Sequence, residues 1–168
     1  NGGGAGGLAV DALGAMGGQR AKLSTTTITE LDSCLPTSWS HANPVDIIGD
    51  ASPERYAASL KIVLSDSEVN AVLVMNCPTA LISGTKTAEK VIEVIKKFNK
   101  GKTVLTSWLG DKSAREARHM FNLAGIPTFD TPTDAVRGFT YLTKHLKAQA
   151  ALLRVPLSLP SDTAIDSV

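Results

Sequence analysis

The sequence predicts an α/β protein with a flavodoxin-like, three-layer α/β/α arrangement around a doubly wound parallel sheet. Short, nearly continuous β-branched runs, clearest in Val69–Met75, alternate with stretches of helical apolar spacing such as Ala88, Val91, Ile92 and Ile95. The connections between them are too short for anything but right-handed crossovers onto one sheet. A glycine-rich run, Asn1–Gly7, leads straight into the apolar stretch Leu8–Met16, as in a strand-to-helix turn that lets backbone amides approach an anion.

Each element has its own signal. Leu8, Asp11, Ala12 and Ala15 stand at helical spacing, and Gly17 with Gly18 supplies a left-handed stop. A second helix is expected from about Thr26 to Cys34, capped by Ser24 or Thr25, with Pro36 beyond its end. The loop Trp39–Asp50 contains one brief apolar core that reads as a short strand or strand end. Ser52 followed by Pro53 starts a helix whose apolar face is Tyr56, Leu60, Val63 and Leu64. After the strand Val69–Met75 comes the helix carrying Ala88 to Ile95, closed by Gly101. Thr103–Thr106 reads as a strand, Ser113–Leu123 as a helix ended by Gly125, and Ile126–Phe129 as a short strand whose Pro127 favours an edge. Thr131-Pro132 starts the last helix, with Ala135, Phe139, Leu142 and Leu146 expected on its buried face. From residue 151 to 168 two prolines and no periodicity read as a linker or tail, which puts the domain at residues 1–150.

Composition sets further bounds. A chain of 168 residues, 43% hydrophobic and 20% charged, suits one domain with a sizeable core. Seventeen basic against sixteen acidic residues leave +1, so no charge excess points to nucleic acid or an anionic membrane. Cys34 and Cys77 lie in unlike settings, with neither metal-ligand spacing nor a disulfide framework, and read as reduced thiols of a cytoplasmic protein. A buried strand normally stands before a glycine turn of this kind. The first strand is therefore expected to be missing, the chain reads as a piece of a longer polypeptide, and something must fill an interior slot of the sheet.

Parallel sheets of this class bind ligands at the carboxyl ends of their strands, where Asn1–Gly6, Asn76–Gly84 and Ser107–Asp111 are expected to converge. Gly2, Gly3 and Gly4 are candidates for a phosphate-facing turn; the alternative is a flexible end. Asn43, Asp46 and Asp50 could orient a phosphate-bearing loop, although Asx residues in a proline-containing turn more often bond their own backbone. His41 could donate a proton, but a lone loop histidine usually does no chemistry. Trp108 is placed at a strand end facing the cleft, and Lys112, Arg115, Glu116 and Arg118 read as a solvated helix face. No residue is assigned a catalytic role, and none a metal.

Four separated motifs then carry a resemblance. These are the run Asn1–Gly6 with Asp11; Trp39-Ser40 with Asn43-Pro44-Val45-Asp46 and Gly49-Asp50; Ala71–Val74 continuing to Pro78; and Ala124-Gly125-Ile126-Pro127-Thr128-Phe129. In this order the chain resembles the ligase-type flavodoxin-like domain of the NDP-forming acyl-CoA synthetases, the ADP-forming acetyl-CoA synthetases and succinyl-CoA synthetase among them. The resemblance implies a parent enzyme that uses CoA and ATP or ADP with Mg, and whose other domains are CoA-binding, phosphohistidine-bearing and ATP-grasp. It implies that those domains are the partners, with a homo-oligomer as a further possibility, and that the fragment itself carries no cofactor. The histidine loop of the family, His-Thr-Gly-Ala-like, has no counterpart here, and His41, His119 and His145 stand in other surroundings. The family aims helix N-termini at the phosphohistidine; the matching segment is Pro78–Thr85, which makes Thr79, Ala80 and Ser83 candidate phosphate-binding residues. The bland alternative is that Thr79, Ser83 and Thr85 merely cap a helix. A second class of parent is a protein lysine acetyltransferase in which such domains bind ligand and regulate.

Overall fold

The computed structural model describes residues 1–153. Six helices and three strands follow one another as α1 (Gly3–Ala15), α2 (Thr25–Cys34), α3 (Pro53–Ser65), β1 (Ala71–Asn76), α4 (Gly84–Phe98), β2 (Thr103–Trp108), α5 (Lys112–Leu123), β3 (Thr128–Phe129) and α6 (Pro132–Leu152). The strands are all parallel in the order β1-β2-β3, with Ala71 opposite Thr103, Asn76 opposite Trp108, and Thr106 opposite Thr128.

Local chemistry explains where the elements begin and end. Ser24, Ser52 and Thr131 each accept a hydrogen bond from the amide three residues on, at 3.2, 3.2 and 3.1 Å, so an otherwise orphaned donor is satisfied at the start of α2, α3 and α6. Pro53 and Pro132 occupy first-turn positions where the absent N–H costs nothing. Gly101 and Gly125 follow α4 and α5 with φ of +86° and +71°, a backbone state that a Cβ would strain.

The core lies mainly on one face of the sheet. Val74, Val104 and Trp108 meet Tyr56 and Leu60 of α3, Val91 of α4, and Ala117 and Phe121 of α5. Burying each large apolar side chain contributes about 1.5–3 kcal/mol. On the other face α6 packs on β2 and β3, with α1 against α6.

Three expectations need correction. The first helix begins at Gly3 rather than Leu8, so most of the glycine run is helical. No strand forms between Trp39 and Asp50. That stretch is held instead by side chains: the Ser40 hydroxyl accepts from the Asp46 amide at 2.9 Å and lies 2.6 Å from the Pro44 carbonyl, while Asp46 Oδ1 accepts from the Ile48 amide at 3.1 Å. Leu142 and Leu146 are not buried but 40% and 55% exposed. The reason is length: a helix of 21 residues runs about 32 Å, a six-residue strand about 20 Å, so α6 outruns the sheet it covers. The same helix ends at Leu152, and most of the expected tail at 151–168 lies outside the described residues.

Candidate functional site

The carboxyl ends of β1 and β2 gather three chain segments. A Cβ on Gly2 would stand 2.3 Å from Cys77 Sγ, one on Gly110 would stand 3.4 Å from Pro78 Cγ, and the Trp108 indole N–H donates to the Gly84 carbonyl at 3.1 Å. Asn1–Gly6, Asn76–Gly84 and Ser107–Asp111 therefore meet as expected from the strand order.

Asn1 ties the first two together. Its side-chain oxygen accepts from the Cys77 amide at 2.8 Å, and its Nδ2 donates to the carbonyls of Cys77 and Gly49, both at 3.2 Å. The Tyr56 hydroxyl lies 2.6 Å from Asn1 Oδ1 and 3.0 Å from the Met75 carbonyl, and accepts from Asn76 Nδ2 at 3.1 Å. Burial pushes the Tyr56 phenol above its ordinary value, with the Asn76 hydrogen bond opposing, so the group stays a neutral donor. This buried network was not foreseen. Its signal is Asn76, a polar residue ending an apolar run.

Two helix N-termini border the site, each with one carboxylate nearby. At α1, Gly2 holds φ +87° and its carbonyl accepts from the Ala5 amide at 3.0 Å, which leaves the Gly3 and Gly4 amides without a backbone acceptor among the described residues. Asp46 already addresses this end, because a Cβ on Gly3 would stand 2.8 Å from its Oδ2. A carboxylate complements the positive end of the helix and opposes a second anion there. At α4, Ser83 caps the Lys86 amide at 3.3 Å, Gly84 and Thr85 keep amides without an acceptor among the described residues, and Glu116 of α5 approaches from the side, its Oε2 accepting from the Thr85 hydroxyl at 3.4 Å.

The remaining candidates separate in the same way. Thr79 Oγ1 is enclosed and has no hydrogen-bond partner, while Ala80 is exposed. Ser107 Oγ is likewise buried and unpartnered, a feature the sequence did not single out. Trp108 does not face a cleft: it is 1% exposed and packs edge-on against Phe121 at 4.6 Å, so its part is to fix the start of α4 through Gly84. Asn43 bonds the Ala21 carbonyl at 2.9 Å and Asp50 pairs with Arg55 at 2.6 Å, so both side chains are engaged within the protein. His41 bonds Asp32 at 2.8 Å. Arg118 is no solvated charge; it is largely covered and bridges Asp130 and the Gly110 carbonyl.

The profile of the Ligase-CoA domain family matches residues 1–153. The chain is 37% identical over 150 residues to ADP-forming acetate–CoA ligase I of Archaeoglobus fulgidus, covering 89% of this chain and 21% of that protein. It is 33% identical over 150 residues to the alpha subunit of ADP-forming acetate–CoA ligase II of Pyrococcus furiosus, covering 88% and 33%. Among solved structures, dinucleotide-forming acetyl-coenzyme A synthetase 1 of Ca. Korarchaeum cryptofilum superposes with a TM-score of 0.85 at 28% identity, over 92% of this chain and 34% of that one; its apo form and a complex with phosphate and ADP fit equally well. The chain thus spans about a fifth to a third of the relatives it matches. With its parallel sheet and its strand-end loops in the family's order, it belongs to the Ligase-CoA domain family of the ADP-forming acetyl-CoA synthetases.

Proposed function

We propose that this chain works as one domain of an ADP-forming acyl-CoA synthetase, and that the start of α4 stabilises a phosphoryl group presented by a neighbouring, phosphohistidine-bearing domain. The observation that carries this reading is the set of unpaired donors at the start of α4: the Gly84 and Thr85 amides have no acceptor among the described residues. A carboxylate stands near each helix start, but at α1 Asp46 sits directly over Gly3, whereas at α4 Glu116 is engaged by the Thr85 hydroxyl at 3.4 Å and not by the amides. Aligned peptide dipoles place about half a positive charge there, and such an end accepts phosphate without a dedicated cation. In this reading Ser83 and Trp108 are positioning residues: one caps the helix, the other holds Gly84 from below.

CoA and ATP or ADP with Mg are then bound by the CoA-binding and ATP-grasp parts of the parent enzyme. That the relatives named above are ligases or synthetases favours this over a regulatory role beside an acetyltransferase domain.

The test is labelling of the histidine by ATP in the full-length enzyme. Ala80 is exposed, so Ala80→Asp adds negative charge beside the α4 start without disturbing the core. A several-fold fall in labelling is expected, the scale of the roughly 0.3–2 kcal/mol that a charge at a helix end contributes. Thr79→Ser keeps the hydroxyl and should label normally. Unchanged labelling in folded Ala80→Asp would reduce this loop to a helix cap.

A further inference from the structure

The connection between α2 and α3 holds two left-handed residues that are not glycine, His41 at φ +48° and Ile48 at φ +70°, and they bracket the short segment that brings Asp46 to Gly3. Such backbone is unfavourable for an L residue, most of all a β-branched one, so surrounding contacts must hold it. Inside the segment the Ser40 hydroxyl accepts from the Asp46 amide, and Asp46 Oδ1 accepts from the Ile48 amide. Its middle is anchored to the chain before α2, where Arg20 donates to the Asn43 carbonyl at 2.8 Å and the Asn43 side chain to the Ala21 carbonyl.

The His41 ring clasps one end of this segment. Its Nδ1 lies 2.8 Å from Asp32 Oδ1 and its Nε2 3.0 Å from the Thr37 carbonyl. A carbonyl oxygen only accepts, and the same Asp32 oxygen accepts from the Trp39 indole N–H at 2.8 Å, so both ring nitrogens face acceptors. A neutral imidazole has one N–H and an imidazolium has two. The clasp is therefore complete only when the ring carries its second proton. Trp39, buried in the core with Leu31, Leu35 and Ile47, keeps Asp32 in place, its ring centroid 4.8 Å from that of His41. Asp32 of α2 is the charged group acting on the ring among the described residues, since Thr37 and Trp39 are neutral and Arg20 is engaged by the Asn43 carbonyl.

We propose that residues 41–48 are a strap closed by one proton: the His41 imidazolium, bonded to Asp32 and to the Thr37 carbonyl, holds Asp46 over the start of α1, and loss of that proton releases the strap and withdraws the carboxylate. A neutral ring leaves one of its two acceptors without a donor, and the left-handed backbone at His41 loses a contact that offset its cost. Asp46 follows because Ser40 and Ile48 tie it to the segment on both sides. The Thr37 carbonyl and Asp32 favour the cation, so the strap is closed in mild acid and opens as pH climbs above the ordinary 6.5 of histidine. The proton thus sets how much negative charge stands on the α1 side of the strand-end loops, whether or not α4 receives a phosphoryl group.

Amide hydrogen exchange in the full-length protein, read residue by residue and corrected for the intrinsic rise of exchange with pH, tests this strap. Protection of the Asp46 and Ile48 amides should fall at least about tenfold as pH rises from below 6.5 to well above it, while the Tyr56 amide inside α3 stays protected. His41→Gln, neutral at every pH, should give low protection of both amides and no such transition. Asp32→Asn removes the charge that favours the imidazolium and should move the transition to lower pH; lowered protection with an unmoved midpoint would overturn the proposal. So would constant protection across the transition range in the unaltered protein, or a transition that persists in His41→Gln.

Discussion

Two residues show how local chemistry sets measurable stability. Ser107 is fully buried with an unpaired hydroxyl. An unpaired polar group of that kind costs on the order of 1–3 kcal/mol, so Ser107→Ala should leave the chain as stable or more stable in urea unfolding, and a loss above about 1 kcal/mol would reveal a hydrogen bond to the hydroxyl. His41 is the second case. Its Nδ1 lies 2.8 Å from Asp32 and its Nε2 3.0 Å from the Thr37 carbonyl, and Trp39 donates to the same Asp32 oxygen at 2.8 Å. The Thr37 carbonyl raises the imidazole above its ordinary 6.5, opposed by desolvation and helped by Asp32. A raised folded value means that the stabilisation is complete below 6.5 and disappears as pH climbs through the folded value. The destabilisation caused by His41→Gln should therefore be largest in mild acid and decrease as pH rises through the folded value, and this pH-dependent part should be small because both partners are half exposed. A pH-independent difference in urea midpoints would contradict this.

At the scale of elements, the glycine run is not one feature. Gly2 sits at φ +87° with Cys77 Sγ against it, whereas Gly4 lies in the first turn of α1 with open space where a Cβ would go. Gly2→Ala should cost more than about 1–2 kcal/mol from the left-handed backbone alone, before the clash. Gly4→Ala should stabilise by up to about 1 kcal/mol, because alanine loses less backbone freedom on folding. Thermal unfolding of both variants checks the contrast; equal effects would mean that the turn at Gly2 is absent. The run thus combines one conformational requirement with several helix positions that tolerate side chains. Periodicity alone could not separate these, since glycine adds nothing to an apolar stripe.

The whole molecule presents a paired sheet end and an unpaired sheet edge. The chain spans about a fifth to a third of the relatives it matches, and its strand-end loops supply backbone amides rather than a complete set of reacting groups. The isolated chain is accordingly expected to bind neither ATP nor CoA at micromolar concentration in calorimetry, and tight binding of either would require a site beyond the one described. The far half of α6 belongs to this scale too. Leu142 and Leu146 follow a correct helical pattern but project past the end of the sheet, so their exposure depends on the size of the neighbouring layer.

Much of the fold was legible in the chain itself, because caps, stops and short apolar runs act over a few residues. Ser24, Ser52 with Pro53, Thr131 with Pro132, and the glycines at 101 and 125 each mark an element boundary that the structure keeps. The family motifs located the strand-end loops for the same reason: they are contiguous. What only the tertiary structure decided is where distant groups meet. Asp46 against Gly3, Trp108 under Gly84, and Asn1 joined to Tyr56 and Cys77 depend on separations of roughly 25 to 75 residues that no local pattern encodes. The two similar helix starts differ in how a distant carboxylate reaches them, Asp46 over Gly3 at one and Glu116 on the Thr85 hydroxyl at the other, and electrostatics at a few ångströms depends on that placement rather than on the residue types that make the two starts look alike.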